Sequence, residues 1–285
     1  MTPLPGGTFT LADGRRLSYD DVGALDGRPV VYLHGCPGSR LSRHPDDSIA
    51  VRAGVRLISV DRPGYGHSDG HPTSDEVSQA DDVLALLDAL GVERFAVLGW
   101  SSGGPTALAL AARHPDRVAA VVVAAGQPPM AANPGDHTPA EFARIAATFI
   151  AQAGMSLELA MDAALEGWDD ASLADLAAID GAHEQQAASL VVAVERGLSG
   201  VEGDLRAMAT PWRFDIQAIT VPVTLAYGTN DTVYPPEIGR SLADRIPGAR
   251  LEVVEGATHL LVLTHWSMLL DSLARQLDME EPSCR

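Results

Sequence analysis

Lysine is absent from this chain: all 20 basic residues are arginine, set against 38 acidic ones, for a formal net charge of −18. We attribute the missing lysine to coding composition, and it carries no functional meaning. The acidic surplus does, because it repels phosphate backbones and anionic lipid and so excludes nucleic acid and membrane surfaces as expected partners. Cysteine is nearly absent too. Cys36 lies in a loop-like stretch and Cys284 is penultimate, so neither a disulfide framework nor a cysteine metal site is expected. No run approaches the ~18 apolar residues of a membrane helix. Met1 to Gly7 lack the basic start and apolar core of a signal peptide, so a cytoplasmic location is expected.

What is present is a large apolar fraction, 46% of 285 residues, enough for a sizeable core. The chain is organised around Phe95-Ala-Val-Leu-Gly-Trp-Ser-Ser-Gly-Gly-Pro105. An apolar run suited to a strand covered on both faces leads to Ser101, and small helix formers follow from Ala107. The backbone must reverse within a few residues. Gly99 and Gly103 stand where a Cβ would collide with the crossing elements, and Ser101 is expected in a strained conformation. This is the G-x-S-x-G nucleophile elbow. Taken alone it matches an ordinary glycine-rich turn, and its place between strand and helix is what points to chemistry.

Before the elbow, Thr8 to Leu11 and Arg16 to Tyr19 flank Ala12-Asp13-Gly14 and predict a hairpin. Arg28 to His34 and Val55 to Val60 read as buried strands. Residues Ser74 to Leu90 predict an amphipathic helix with Val77, Ala80, Val83, Leu84, Leu87 and Leu90 on one stripe and most carboxylates elsewhere. Arg117 to Ala125 is the next strand. The alternation predicts an α/β fold with a parallel sheet and helices on both faces. It breaks between residues 127 and 214, where helices are expected at Pro139 to Ala153, Ser156 to Leu165 and Gln185 to Leu198. That stretch reads as a helical cap inserted in a core of residues 1–126 and 215–285. Val221 to Tyr227, a helix over Pro236 to Arg245, Arg250 to Val254 and a helix over Leu263 to Leu277 complete the pattern.

A serine hydroxyl needs a base, and the base needs an orienting group. The strand ending at Tyr227 runs into Gly-Thr-Asn-Asp231, and the next ends in Glu255-Gly-Ala-Thr-His259. The chain order Ser101, Asp231, His259 is the one described for this elbow. His34 and His67 are weaker bases because they lie in earlier motif loops, and His265 falls on the last helix. Asp61 is read as ordering the Arg62-Pro-Gly-Tyr-Gly loop. The developing oxyanion needs preorganised donors, for which the backbone amides of Ser102 and Cys36 are expected.

These motifs, His34-Gly-Cys-Pro-Gly, Asp61-Arg-Pro-Gly-Tyr-Gly-His-Ser, Gly99-Trp-Ser-Ser-Gly-Gly, Gly228-Thr-Asn-Asp and Gly256-Ala-Thr-His, resemble those of the α/β-hydrolase superfamily, in its order, over nearly the whole chain. The resemblance implies a mostly parallel eight-stranded sheet with the cap between the sixth and seventh strands. Epoxide hydrolases and haloalkane dehalogenases of the superfamily use Asp where Ser101 stands, which disfavours those chemistries. The expected function is a serine hydrolase of esterase type, acting on a small hydrophobic substrate without cofactor or metal. Trp100, Phe142, Phe149, Trp168, Met208 and Trp212 are expected to line the pocket. The alternatives are a carbon–carbon bond or lactone hydrolase using the same triad, and a small-ligand binding protein on the same fold. A homo-oligomer is left open.

Overall fold

A computed structural model describes residues 6–129, 168–208 and 210–280. The chain opens with an antiparallel hairpin, β1 (Gly6–Thr10) and β2 (Arg16–Gly23), turned at Gly14 with φ +88°. Then follow β3 (Arg28–Leu33), α1 (Ser48–Arg52), β4 (Val55–Val60), α2 (Glu76–Ala89), β5 (Phe95–Trp100), α3 (Gly103–Arg113) and β6 (Val118–Ala124). After α4 (Asp170–Ala178), α5 (Ala182–Val194) and α6 (Ser199–Met208), the sheet resumes with β7 (Val223–Gly228). The chain continues through α7 (Pro236–Ala243), β8 (Arg250–Val254), α8 (Leu261–Thr264) and α9 (Trp266–Glu280). The eight strands form one sheet in the order β1-β2-β4-β3-β5-β6-β7-β8, parallel from β4 to β8 and antiparallel at the hairpin end.

Continuous apolar runs make the central strands buried on both faces, as a parallel sheet between helical layers requires. Successive side chains of β3 take opposite sides. Val31 and Leu33 join the core under α2, α3 and α7, whereas Val30 and Tyr32 join the core under α1 and α9. In the second core Trp266 of α9 meets Tyr32 edge-on, with ring centroids 5.3 Å apart.

Helix α2 departs from its predicted stripe. Ala80, Val83 and Leu87 are buried as expected, but so are Glu76, Gln79 and Asp82, while Val77, Leu84 and Leu90 are only half-buried. Two of these polar side chains find partners from distant segments. Arg15 donates to both oxygens of Asp82 at 2.6 and 2.8 Å, and Thr106 of α3 donates to Gln79 Oε1 at 2.9 Å. Partnered in this way they are tolerated inside, which apolar periodicity alone does not reveal.

Between β6 and β7 the predicted helix over Gln185 to Leu198 is found as α5, three residues earlier at its start. Helices α4 and α6 fall where the sequence pattern predicts no helix; α4 begins where Asp169 accepts a hydrogen bond from the Ser172 amide at 2.8 Å. The helices expected over Pro139 to Ala153 and Ser156 to Leu165, with Phe142 and Phe149, lie outside the described residues. Among the described residues no helix is long and apolar enough to cross a membrane. Trp266, 2% exposed, ties α9 to the sheet centre. Trp266→Ala is therefore expected to cost about 3–5 kcal/mol in denaturant unfolding, through lost transfer energy and the cavity left behind.

Candidate active site

Strand β5 delivers Ser101 to the head of α3 with no intervening loop. Its backbone sits at φ +52°, one of two non-glycine residues with positive φ among those described. Hydrogen bonds impose that conformation: the Ser101 amide donates to Ala124 O at 3.0 Å, and its carbonyl accepts from the amides of Gly104 (3.0 Å) and Gln127 (3.1 Å). Larger flanking residues would not fit. A Cβ at Gly99 would stand 2.7 Å from Gly103 O, and one at Gly103 only 2.2 Å from Leu33 O.

Asp231 follows β7 and His259 follows β8, and their loops bring them together. Asp231 Oδ1 accepts from the amides of Val233 and Tyr234, both at 2.8 Å, which fixes the carboxylate. Its other oxygen lies 2.9 Å from His259 Nδ1. A carboxylate there favours the Nδ1–H tautomer, which leaves Nε2 able to accept a proton. Both side chains are about 95% buried, so water screens the pair little. Aromatic rings confine the imidazole: Tyr234 at 5.6 Å, Trp100 at 5.7 Å and Trp168 stacked at 6.0 Å between centroids. Trp100 also donates Nε1–H to the His259 carbonyl at 3.0 Å, so this residue, expected at the pocket, is a buried support of the histidine.

Helix α4 secures both loops, a feature sequence reasoning missed. Asp169 accepts from the Thr232 hydroxyl at 2.8 Å, next to Asp231, and Asp175 accepts from Thr258 at 2.6 Å, next to His259. The one local signal is the N-cap pattern of Asp169 and Ser172, and nothing in it points to Thr232 or Thr258.

The loop after β3 packs against the serine, since a Cβ at Gly35 would stand 3.1 Å from Ser101 Cβ. The neighbouring residues Cys36 and Ser102, nominated as amide donors, thus flank Ser101 from two segments. Burial, reinforced by the Asp204 carboxylate, pushes the Cys36 thiol well above its ordinary pKa, which disfavours a thiolate nucleophile. His34 is fully buried. Its Nδ1 lies 2.7 Å from Gly35 O and its Nε2 accepts from the Arg62 amide at 3.1 Å, while burial and the Arg62 charge hold its pKa well below the usual value. It is a neutral strut. His67 is half-exposed and pairs with Glu195 at 2.5 Å, and His265 lies between α8 and α9.

Asp61 orders its loop, accepting from Arg40 twice at 2.7 Å and from the His67 amide at 3.0 Å. Met208 lines a small cleft with Ser102, Pro105, Thr106 and Gln127. Trp212 departs from its expected pocket role. It stacks on Phe214 at 5.2 Å, and the pair packs on the core beneath α2 and α3, where apolar surface is available. No cluster of three or more metal-ligating side chains occurs among the described residues.

A family model for the alpha/beta hydrolase fold matches residues 28–265. The chain is 32% identical over 263 residues to a pimeloyl-[acyl-carrier protein] methyl ester esterase of Chromobacterium violaceum, covering 89% of this chain and 96% of that one. It is 30% identical over 279 residues to a non-heme chloroperoxidase of Streptomyces lividans, covering 92% and 96%. Among solved structures, an alpha/beta hydrolase fold protein from Nakamurella multipartita superposes with a TM-score of 0.70 at 28% identity, covering 95% and 99%. The chain belongs to the α/β-hydrolase family, and its class of activity is hydrolysis.

One carboxyl beside the site is poorly accommodated. Glu76 is 5% exposed, its Oε2 has no hydrogen-bond partner, and it borders the Met208 cleft. Burial, with the Asp75 and Asp204 charges adding to it, raises its pKa from 4.5 to about 7. Between those values the folded protein keeps a proton that the unfolded chain has released, so this group's contribution to stability falls as pH rises across the window. Glu76→Gln is expected to stabilise the protein on the order of 1–3 kcal/mol at pH ~8 and to change little near pH ~4, read from unfolding at both pH values.

Proposed function

We propose that the protein is a serine hydrolase that cleaves the carboxylic ester of a small, uncharged, hydrophobic substrate through Ser101, His259 and Asp231. The observation that carries this reading is the Asp231–His259 pair, closed at 2.9 Å, in a chain whose elbow serine sits at φ +52°. In the reaction Ser101 Oγ attacks the acyl carbon and its proton passes to His259 Nε2. The carbonyl π electrons move to oxygen, where the Cys36 and Ser102 amides stabilise the charge. Collapse breaks the bond to the alcohol, which leaves with the proton from His259. Water, deprotonated by the same imidazole, then attacks the acyl-enzyme and releases the acid.

Ester cleavage is chosen over other acyl chemistry because a relative 32% identical over most of the chain is named for methyl ester hydrolysis. An uncharged substrate suits a protein with a net charge of −18, and Trp168 offers apolar surface against His259 and Met208 beside Ser102. The test is a panel of esters, thioesters, lactones and diketones, with esters expected to give the highest kcat/KM. Ser101→Ala should cost on the order of 10⁶-fold in kcat and Asp231→Asn up to ~10⁴-fold, the latter by allowing the wrong imidazole tautomer. Turnover by a Ser101→Ala protein close to the parental rate would refute the assignment.

A further inference from the structure

Arg62, which leaves β4, is the most heavily committed buried cation beside the elbow. It is 1% exposed, and its guanidinium reaches both segments that flank Ser101. Nε donates to His34 O at 2.9 Å, and Nη2 donates to Gly35 O at 3.1 Å and to Ser102 Oγ at 2.9 Å. Gly35 O belongs to the same rigid peptide unit as the Cys36 N–H. Gripping that carbonyl therefore fixes the direction of the amide on its far side. The contact with Ser102 restrains the residue that supplies the other proposed amide.

A guanidinium can hold this geometry only if its own plane is held. Asp204 does so from 142 residues away, on α6: Nη1 donates to Oδ1 and Nη2 to Oδ2, each at 2.6 Å. Tyr65 donates to Oδ2 at 2.7 Å, and Ser102 Oγ–H lies 3.3 Å from the same oxygen. Asp204 is itself only 4% exposed. Helix α6 can approach this closely because Gly200 lies against the Tyr65 ring, where a Cβ would stand 2.6 Å from a ring carbon. The Gly200 amide also donates to Gly64 O at 3.1 Å.

We propose that Asp204 is a positioning residue for the oxyanion site, acting through Arg62, so that docking of α6 completes the arrangement of the Cys36 and Ser102 amides. It touches neither substrate nor reacting atoms. The inference rests on the acyl-transfer reading above, and its test separates the two. In Asp204→Asn, kcat for p-nitrophenyl butyrate should fall about 10- to 100-fold with KM changed less than about threefold. Affinity for an aryl trifluoromethyl ketone, whose serine adduct carries the oxyanion, should fall by the same factor as kcat. Hydrogen exchange should quicken at residues 34–36 and 101–104 while β5 and β6 keep their protection.

A folded Asp204→Asn protein with kcat within about twofold of the parent, or a loss confined to KM, overturns the proposal. Should that variant not fold because Arg62 is left unpaired, Arg62→Met with Asp204→Leu removes both charges and refills the space. The same loss of kcat and ketone affinity is then expected, and parental kcat in this pair overturns the proposal equally. If the parent neither hydrolyses esters nor binds the ketone, the hydrolase reading fails. The exchange measurement still decides whether Asp204 orders the loops, with unchanged exchange at residues 34–36 counting against it.

Discussion

The left-handed turn at Ser101 is the constraint on which the site depends. A non-glycine residue in that region costs on the order of 1–3 kcal/mol and persists only where its surroundings leave no alternative. Here the surroundings are the sheet itself. Ser101 N is tied to Ala124 at the end of β6, and its carbonyl to Gln127 beyond that strand. Gly99 and Gly103 let β5, α3 and the end of β3 meet at distances that no side chain would allow. Ser101 is held at the end of β5 by a packed core, so its backbone is as rigid as that core.

Around this turn the chain uses arginine forks where ordinary loops would leave polar groups unsatisfied. Arg62 with Asp204, Arg40 with Asp20 and Asp61, and Arg43 with Asp20 and Asp47 each join segments distant in sequence or stiffen a loop near the elbow. A planar guanidinium makes several directed bonds at once, which an ammonium on a flexible stem does not. A chain without lysine therefore meets the buried carboxylates of Asp20, Asp61 and Asp204 with the better-suited cation. The same acidic residues that set the net charge supply the anchors. Asp169 and Asp175 hold the loops of Asp231 and His259, and Asp204 holds Arg62.

The sheet, the turn at Ser101 and the meeting of Asp231 with His259 were legible because each is written locally. Uninterrupted apolar runs mark β3, β5 and β6, and Ser101, Asp231 and His259 each stand within a few residues of a strand end, where short loops cannot move them far. What escaped was written non-locally. Glu76 and Asp82 look like a solvent face of α2, and only Arg15, from the first hairpin, makes burial of Asp82 tolerable. Asp204 carries no local sign of its partner, which lies 142 residues earlier. Trp100 shows the same limit. An aromatic in the elbow reads as a pocket wall until the carbonyl it bonds, 159 residues away, is located.

The central claim is that the fold activates one particular hydroxyl, and covalent labelling addresses it directly. Treatment of the native protein with a fluorophosphonate, followed by intact-mass analysis and peptide mapping, is predicted to give a single adduct per chain on Ser101. The same reagent should give none after denaturation, when the turn and the Asp231–His259 pair are gone. An adduct on another serine, or no adduct on the native protein, would contradict the account.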